Sequence, residues 1–398
     1  MNRKISLSAC LVLMLLAAVF TYQIAVISTE ARLSSGISGI KRNPSDNPKL
    51  SEAMYYVENY FVKDIDREYL DDATVLGYIL GLQDKHSSYY TKEQFEEMTS
   101  SLQGSMTGIG IRVFTPIGVD TMTVFEVMKD SPAEKAGIQK GDVVYSINEK
   151  LYSDLKYEGA YEELLGNEGE SVTIEVLRGE ERVKFDIIRT KFEMQTVSYK
   201  LCDTDSSIGY VKIYSFDAAT TEQFKSAVET LLESGAKSFI FDVRDNPGGT
   251  LDSISQILDY LLPEGPIIHL VGKNNQKERT ITSDKTELSV PMVVLADSSS
   301  ASAAELFTSA LMDHNKATFI GVKTYGKGTV QTTFGLSDGS GIRISTQYYL
   351  PPYSPSFDGL GIEPDITVEL SEESKKNFYM LGENEDEQLN AAINYLMQ

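Results

Sequence analysis

Three short segments of this 398-residue chain carry residue types that could do chemistry. The first is Ser298-Ser299-Ser300-Ala301-Ser302-Ala303-Ala304-Glu305, which follows an apolar run ending at Ala296 and opens a helical pattern. A hydroxyl at a strand-to-helix turn is exposed, and the N–H of the next residue points at the same spot, which suits a nucleophile. Ser302 and Glu305 also have the spacing of a capping box, so the string reads as an ordinary helix start too. The second segment is Gly326-Lys327-Gly328, followed by Thr329-Val330-Gln331. A lysine flanked by glycines can be enclosed by the fold, and desolvation lowers its pKa towards the range of a general base. The competing reading is a solvated lysine in a hairpin turn. The third is Asp242-Val243-Arg244-Asp245-Asn246-Pro247-Gly248-Gly249. Pro-Gly-Gly after a buried strand lets backbone N–H groups face outward as an oxyanion trap or anion nest, unless it is a plain turn.

With Gly321, the lysine segment nearly spells a phosphate-binding loop. Gly328 occupies the place of the Mg²⁺-binding hydroxyl, however, and the residues that follow favour a strand where that loop needs a helix. Lys327 and Gln331 share a strand face but would stand about 13 Å apart on a straight strand. For Gln331 to orient Lys327 the backbone must bend, which Gly326 and Gly328 permit.

These segments belong to a chain of globular composition, 41% hydrophobic and 24% charged. Its 36 basic and 58 acidic residues give a net charge of −22, which argues against nucleic acid as a partner. Two cysteines exclude a disulfide framework or a Cys-rich metal site, and three scattered histidines argue against a zinc or haem centre. No metal or organic cofactor is expected.

The elements that must position the three segments fall into five stretches. Residues 1–27 hold Arg3 and Lys4 before an uncharged run from Ile5 to Ile27, long enough at about 34 Å to cross a bilayer. They read as a signal anchor or transmembrane helix, with a cleavable signal peptide as the rival and Cys10 poorly placed for lipidation. Residues 28–46 read as a polar linker. Residues 47–103 have helical spacing, with stripes at Met54, Val57, Tyr60 and Phe61 and at Val75, Tyr78, Ile79 and Leu82, of the kind used for core or a dimer contact. Residues 104–190 pack strands at Ile109–Phe114, Met122–Val127, Val143–Ile147, Val172–Leu177 and Val183–Ile188 around two short helices, a barrel-like module. Residues 191–398 alternate strands and helices, as in an open α/β sheet whose ligands gather at the strands' carboxyl ends, and finish in an acidic helix.

Taken together, the strings Asp242-x-Arg244-x-Asn246-Pro247-Gly248-Gly249, Ser300-Ala301-Ser302-Ala303-x-Glu305 and Gly326-Lys327-Gly328-x-Val330-Gln331 closely resemble those of the C-terminal processing (tail-specific) peptidases. The match extends to Gly361-Ile362-x-Pro364-Asp365 and to Gly81-Leu82-Gln83-Asp84-Lys85-His86-Ser87-Ser88-Tyr89-Tyr90, covering roughly residues 50–398. The resemblance implies a serine peptidase with Ser302 as nucleophile, Lys327 as general base, Gln331 positioning the lysine, and Gly248 and Ala303 N–H groups as the oxyanion hole. Ser302 is preferred to Ser300 by the family's spacing, which puts the lysine 25 residues after the serine. His86, His269 and His314 are left with structural or exposed roles. The β-rich module resembles a PDZ domain, with Gly108-Ile109-Gly110-Ile111 as the loop that binds a peptide's terminal carboxylate. The chain departs from the family at Ala304, often Ser, and at Leu165, where many members carry an arginine before the glycine matched by Gly166.

The expected fold is therefore an α/β multidomain chain: N-terminal membrane helix, small helical region, PDZ-like β-barrel module, and α/β peptidase core with a C-terminal helix. Expected partners are protein or peptide substrates with free C-termini, the membrane through the N-terminal helix, and a second copy through the helical region. The expected location is the cell membrane, single-pass with the catalytic part extracytoplasmic, or secretion after signal cleavage. A catalytically inactive or partner-activated PDZ scaffold is the alternative function.

Overall fold

The computed structural model describes residues 47–101 and 105–398. The expected anchor at 1–27 and linker at 28–46 lie outside the described residues. Among the described residues no helix is long and apolar enough to cross a membrane. The chain divides into two units, one ending at Thr74 and the other starting at Val75.

In the first unit the helix Pro48–Tyr60 starts where Asn47 accepts the Leu50 N–H at 3.2 Å and Pro48 fills a first-turn position. It buries no residue. The predicted stripe is thus not core here: Met54, Tyr60 and Phe61 are exposed, and Tyr55 and Tyr56 lie edge-on beside them. A second helix begins at Arg67 and runs to Leu80. Of the stripe expected within and just after it, only Ile79 is buried.

The PDZ-like module is an antiparallel sheet in the order Ile111–Phe114, Met122–Val127, Val143–Ile147, Ser171–Arg178, Glu181–Ile188. Val172, Ile174 and Val176 point inward at every second position, the period of a sheet with one dry face. The expected strand from Ile109 is broken at Gly110, where φ is +82° and a Cβ would meet Ser131 Cβ at 2.3 Å. Ser105–Gly108 pairs instead with Thr190–Glu193, a two-stranded ribbon joining the module to the core. The second helix, expected near 158–165, runs Tyr152–Leu164 with a kink at Lys156.

The core contains a six-stranded sheet in the order Val197–Leu201, Ile208–Ile213, Ser238–Asp242, Met292–Ala296, Ala317–Gly321, Ile366–Thr367. Only its first pair is antiparallel. Alternate strand residues sort to the two faces. Phe239, Phe241, Val294 and Phe319 pack with the helices Thr220–Glu233, Leu251–Leu261 and Ala303–Asp313. Ile240, Val293, Leu295 and Ile320 pack with the C-terminal helix Glu387–Leu396. Contrary to the single sheet expected, Thr329–Gly335 lies in a second, antiparallel sheet with Ser88–Tyr90, Gly341–Leu350, Gly265–Val271 and Lys277–Ser283. That sheet is built from residues far apart in sequence, which local periodicity does not reveal.

A buried ionic cluster ties the end of Ser238–Asp242 to the last helix. Arg244, 2% exposed, binds Asp242 through Nε at 3.0 Å and Asp386 through Nη2 at 2.8 Å, and Asp386 caps the helix Glu387–Leu396. Lys212 and Tyr210 complete the Asp242 shell at 3.2 and 2.7 Å. Burial alone would raise the Asp242 pKa, but the Arg244 and Lys212 charges hold it well below the usual carboxylate range. Its stabilisation is therefore present above the unfolded carboxylate value and lost as pH falls through the folded one. Arg244→Ala leaves two buried carboxylates without their main partner. Urea unfolding at neutral pH is expected to show a loss of about 3–5 kcal/mol.

Candidate active site

Parallel strands end on one edge of a sheet, and the loops leaving Asp242, Ala296 and Gly321 meet there. Ala301 N–H donates to Asn246 O at 2.9 Å and Tyr325 N–H to Ser300 O at 3.1 Å, so residues 243–249, 297–302 and 322–328 are laced into one body. Asn246 is fully buried. Its Nδ2 reaches Ile213 O at 2.9 Å and its Oδ1 accepts the Gly248 N–H at 2.8 Å.

The two central serines differ in what their hydroxyls do. Ser300 Oγ donates to Val243 O at 2.7 Å and accepts the Asp297 N–H at 2.9 Å, so it is a brace. Ser302 sits at the N-cap of Ala303–Asp313 with φ 57° and ψ −115°, a strained conformation for a residue with a Cβ. Its backbone N–H, not its hydroxyl, makes the 3.0 Å bond to Glu305 Oε2. Buried Tyr349, whose pKa burial raises, has the Ser302 hydroxyl as a hydrogen-bonding neighbour.

Gly248 has φ +105°, and a Cβ there would lie 2.8 Å from Ser302 Cβ and 2.9 Å from Ala303 N. Both predicted oxyanion donors therefore flank Ser302. The Ala303 N–H is the first of its helix and has no intrahelical acceptor, whereas the Gly248 N–H is held by Asn246 in this state.

Lys327 reaches the site from the third loop. Glu305, fully buried, accepts Gly326 N–H and Thr324 O–H through Oε1, both at 2.6 Å, and Lys327 N–H through Oε2 at 2.7 Å. The lysine side chain is half-buried. Burial lowers its pKa, and Arg343 and Lys85 act in the same direction while Asp84 and Glu305 oppose them. Gln331 is not bonded to it: its Nε2 donates to Thr329 Oγ1 at 2.9 Å and Ser345 Oγ at 3.2 Å. A register shift in the pairing with Gly341–Leu350 falls between Val330 and Gln331.

Lys327 lines a cleft of about 780 Å³ with His86, Pro247, Ala301, Lys212 and Arg112. His86 is thus brought to the lysine's cleft, a placement no sequence period signals. Its pKa is lowered by burial and by Lys327 and Lys85. Lys85 anchors the same turn through Tyr325 Oη at 3.0 Å. His269 and His314 hold backbone carbonyls of Pro352 and Pro266. Cys202 is buried, with its pKa pushed up to about 12.

The PDZ module borders this cleft. Its Arg112 donates to Gln195 O at 2.6 Å and lies 4.1 Å over the Tyr214 ring. Tyr379, from the segment before the last helix, stacks on Phe125 at 4.2 Å while its phenol donates to Asp245 in the Gly248 loop. In the predicted carboxylate loop, Gly108 ends the ribbon, Ile109 and Gly110 carbonyls accept the Ala133 and Met128 N–H groups, and Ile111 opens the next strand. Behind Leu165, the buried Arg189 holds the Glu163 and Leu164 carbonyls at 2.8 and 3.0 Å and lies against Gly166.

Residues 207–368 match the model of Peptidase family S41 and residues 123–178 that of the PDZ domain. A "Probable CtpA-like serine protease" of Staphylococcus aureus (strain COL) is 33% identical over 351 residues, 87% of this chain and 70% of the relative. The Staphylococcus saprophyticus protein of that name is 31% identical over 363 residues, 90% of this chain and 73% of its own. The chain belongs to peptidase family S41. As an S41 member with a PDZ domain it is a serine peptidase of the C-terminal processing type. The S41 fold extends to a photosystem II D1 C-terminal processing protease, with TM-score 0.52, 22% identity, and 80% of this chain and 86% of that one covered. It extends also to a "Putative S41 protease from Bacteroides fragilis NCTC 9343", with TM-score 0.58, 19% identity, and 85% and 91% covered.

A side chain at residue 248 would press on Ser302 and the Ala303 amide. On the oxyanion role expected of Gly248, Gly248→Ala lowers kcat about 10²–10³-fold, the cost of a lost donor, with KM nearly unchanged in steady-state proteolysis.

Proposed function

We propose that Ser302 is the nucleophile of this S41 peptidase and Lys327 its general base. The observation that carries the reading is the strained N-cap serine, flanked by Gly248 and Ala303 and tied through one carboxylate to the Lys327 backbone. Neutral Lys327 takes the Ser302 proton as Oγ adds to the peptide carbonyl, and the oxyanion is received by the Ala303 and Gly248 N–H groups. Gly248 must leave Asn246 Oδ1 or share its proton for this step. The lysine's proton passes to the leaving amine, an acyl-enzyme remains, and water, deprotonated by Lys327, releases it. For Gln331 to position Lys327 in this reading, its amide must leave Thr329 and Ser345.

In the same reading the Gly108–Ile111 loop takes the free carboxyl terminus of a protein substrate, which adds as a strand along the PDZ sheet. Residues 1–27 anchor the chain in the cell membrane, single-pass, with everything after residue 28 extracytoplasmic; the basic start and long apolar run support this. The uncovered Tyr55, Tyr56, Tyr60 and Phe61 support a homodimer through the helical region.

Ser302→Ala and Lys327→Ala are each expected to abolish casein cleavage while the thermal unfolding transition is retained. In the wild type, kcat/KM is expected to rise with pH along a limb centred below the ordinary lysine value of about 10.4, because the neutral amine is the active form. A Lys327→Ala enzyme cleaving at the normal rate overturns the dyad, and a mature chain starting after residue 28 by mass spectrometry overturns the anchor.

A further inference from the structure

We infer that Glu305 is a positioning residue which fixes the nucleophile and the base relative to each other by binding both backbones with a single carboxylate. The inference rests on the Ser302–Lys327 reading and goes beyond the helix-capping role that the Ser302-x-x-Glu305 spacing suggests. A capping glutamate needs to reach back only to the N-cap amide. Glu305 does that at 3.0 Å and also takes three donors from a loop some twenty residues downstream, at Thr324, Gly326 and Lys327.

The chemistry of those contacts defines the group's state. Two are backbone N–H groups of the lysine loop and one is the Ser302 N–H, and none of these can accept a proton. Thr324 Oγ1 accepts the Ile362 N–H at 2.8 Å and donates its own proton to Glu305 Oε1 at 2.6 Å. Four donors converge on the two oxygens, three of them backbone N–H groups. Glu305 is fully buried, and among the described residues these hydrogen bonds, not a lysine or arginine salt bridge, hold its carboxylate oxygens.

Both ends it holds are strained or sterically confined. Ser302 has positive φ, and Gly326 (φ +89°) would place a Cβ 2.8 Å from Gly361 N. Gly328 is pressed against Asp358, whose Oδ1 accepts the Gly328 N–H at 3.0 Å. The carboxylate spans the gap between these two backbones, so its removal frees the lysine loop to shift relative to the serine.

The same charge acts on Lys327. The lysine faces Arg343 from the paired strand, Asp84, Lys85 and His86 from the turn before Ser88, Asp358 from the adjacent loop, and Glu305 from the nucleophile's helix. Removing the Glu305 charge takes away one of the two groups that raise the Lys327 pKa, so the amine becomes neutral at lower pH.

The test uses the full chain, with casein as substrate, and reads kcat, KM and the pH profile of Glu305→Gln and Glu305→Asp beside Ser302→Ala and Lys327→Ala. Glu305→Gln is expected to lose about 10²-fold in kcat, the scale of a 1 Å misplacement, with KM within about threefold and the acid limb of kcat/KM moved to lower pH. Glu305→Asp keeps the charge on a shorter arm and is expected to lose kcat while the limb stays in place. Wild-type kcat in Glu305→Gln, or a kcat loss with an unmoved limb, overturns the inference. Should Glu305→Gln not fold, Glu305→Asp decides: wild-type kcat overturns the role, and a kcat loss with KM and limb unchanged supports it. Activity in Ser302→Ala or Lys327→Ala would instead overturn the dyad itself, an outcome read separately from the Glu305 variants.

Discussion

The proposed Ser302–Lys327 site has to bring a hydroxyl and an amine together from two different loops, and the hydrogen bonds that lace those loops answer to that constraint. The amine must lose its proton near neutral pH, which requires a poorly hydrated setting. It must also stay within reach of the serine although it sits on a different loop. Burial of Lys327 serves the first need, and the hydrogen bonds that converge on Glu305 serve the second. The two needs pull against each other, because the anion that holds the loop also favours the charged form of the lysine. Arg343 and Lys85 offset that pull.

The fold meets the positional demand by using the carboxyl edge of a parallel sheet. Consecutive strands deliver three loops to one place, and the loops bond mainly to one another: Asn246 to Ala301, Ser300 to Val243, Tyr325 to Ser300. Beneath them the Arg244 cluster fastens the Gly248 loop to the C-terminal helix, so the far end of the chain is part of the site's foundation. A buried ion cluster of this kind is weak evidence for extra stability, but it holds one arrangement of charged groups in preference to others.

One of the PDZ module's contacts with this foundation leads to the Gly248 loop. Tyr379 packs its ring on the module's Phe125 and bonds Asp245, three residues before Gly248. Gly248 meanwhile gives its N–H to Asn246. In the proposed reading, Gly248 has to release Asn246 before it can serve as an oxyanion donor.

How much of this could be read in the sequence differs by feature. Ser302, Lys327 and Gly248 stand out because their neighbours are unusual: serines at a strand–helix turn, glycines around a lysine, Pro-Gly-Gly after a buried strand. The parallel sheet and its helices follow from runs such as Phe239–Phe241 and Val293–Leu295, whose periodicity is local. The second sheet, which carries Gln331, does not follow, since Ser88–Tyr90 and Thr329–Gly335 meet only through Gly341–Leu350. Glu305 was visible as a capping residue but not as a link to Lys327, and His86 gave no sign of facing that lysine. The sequence by itself determined which residue types are available and the local elements that carry them, because those depend on neighbours within a few positions. Only the tertiary structure decided which distant groups share a carboxylate, a cleft or a buried charge, because such partnerships depend on how loops close and are encoded in no single stretch of chain.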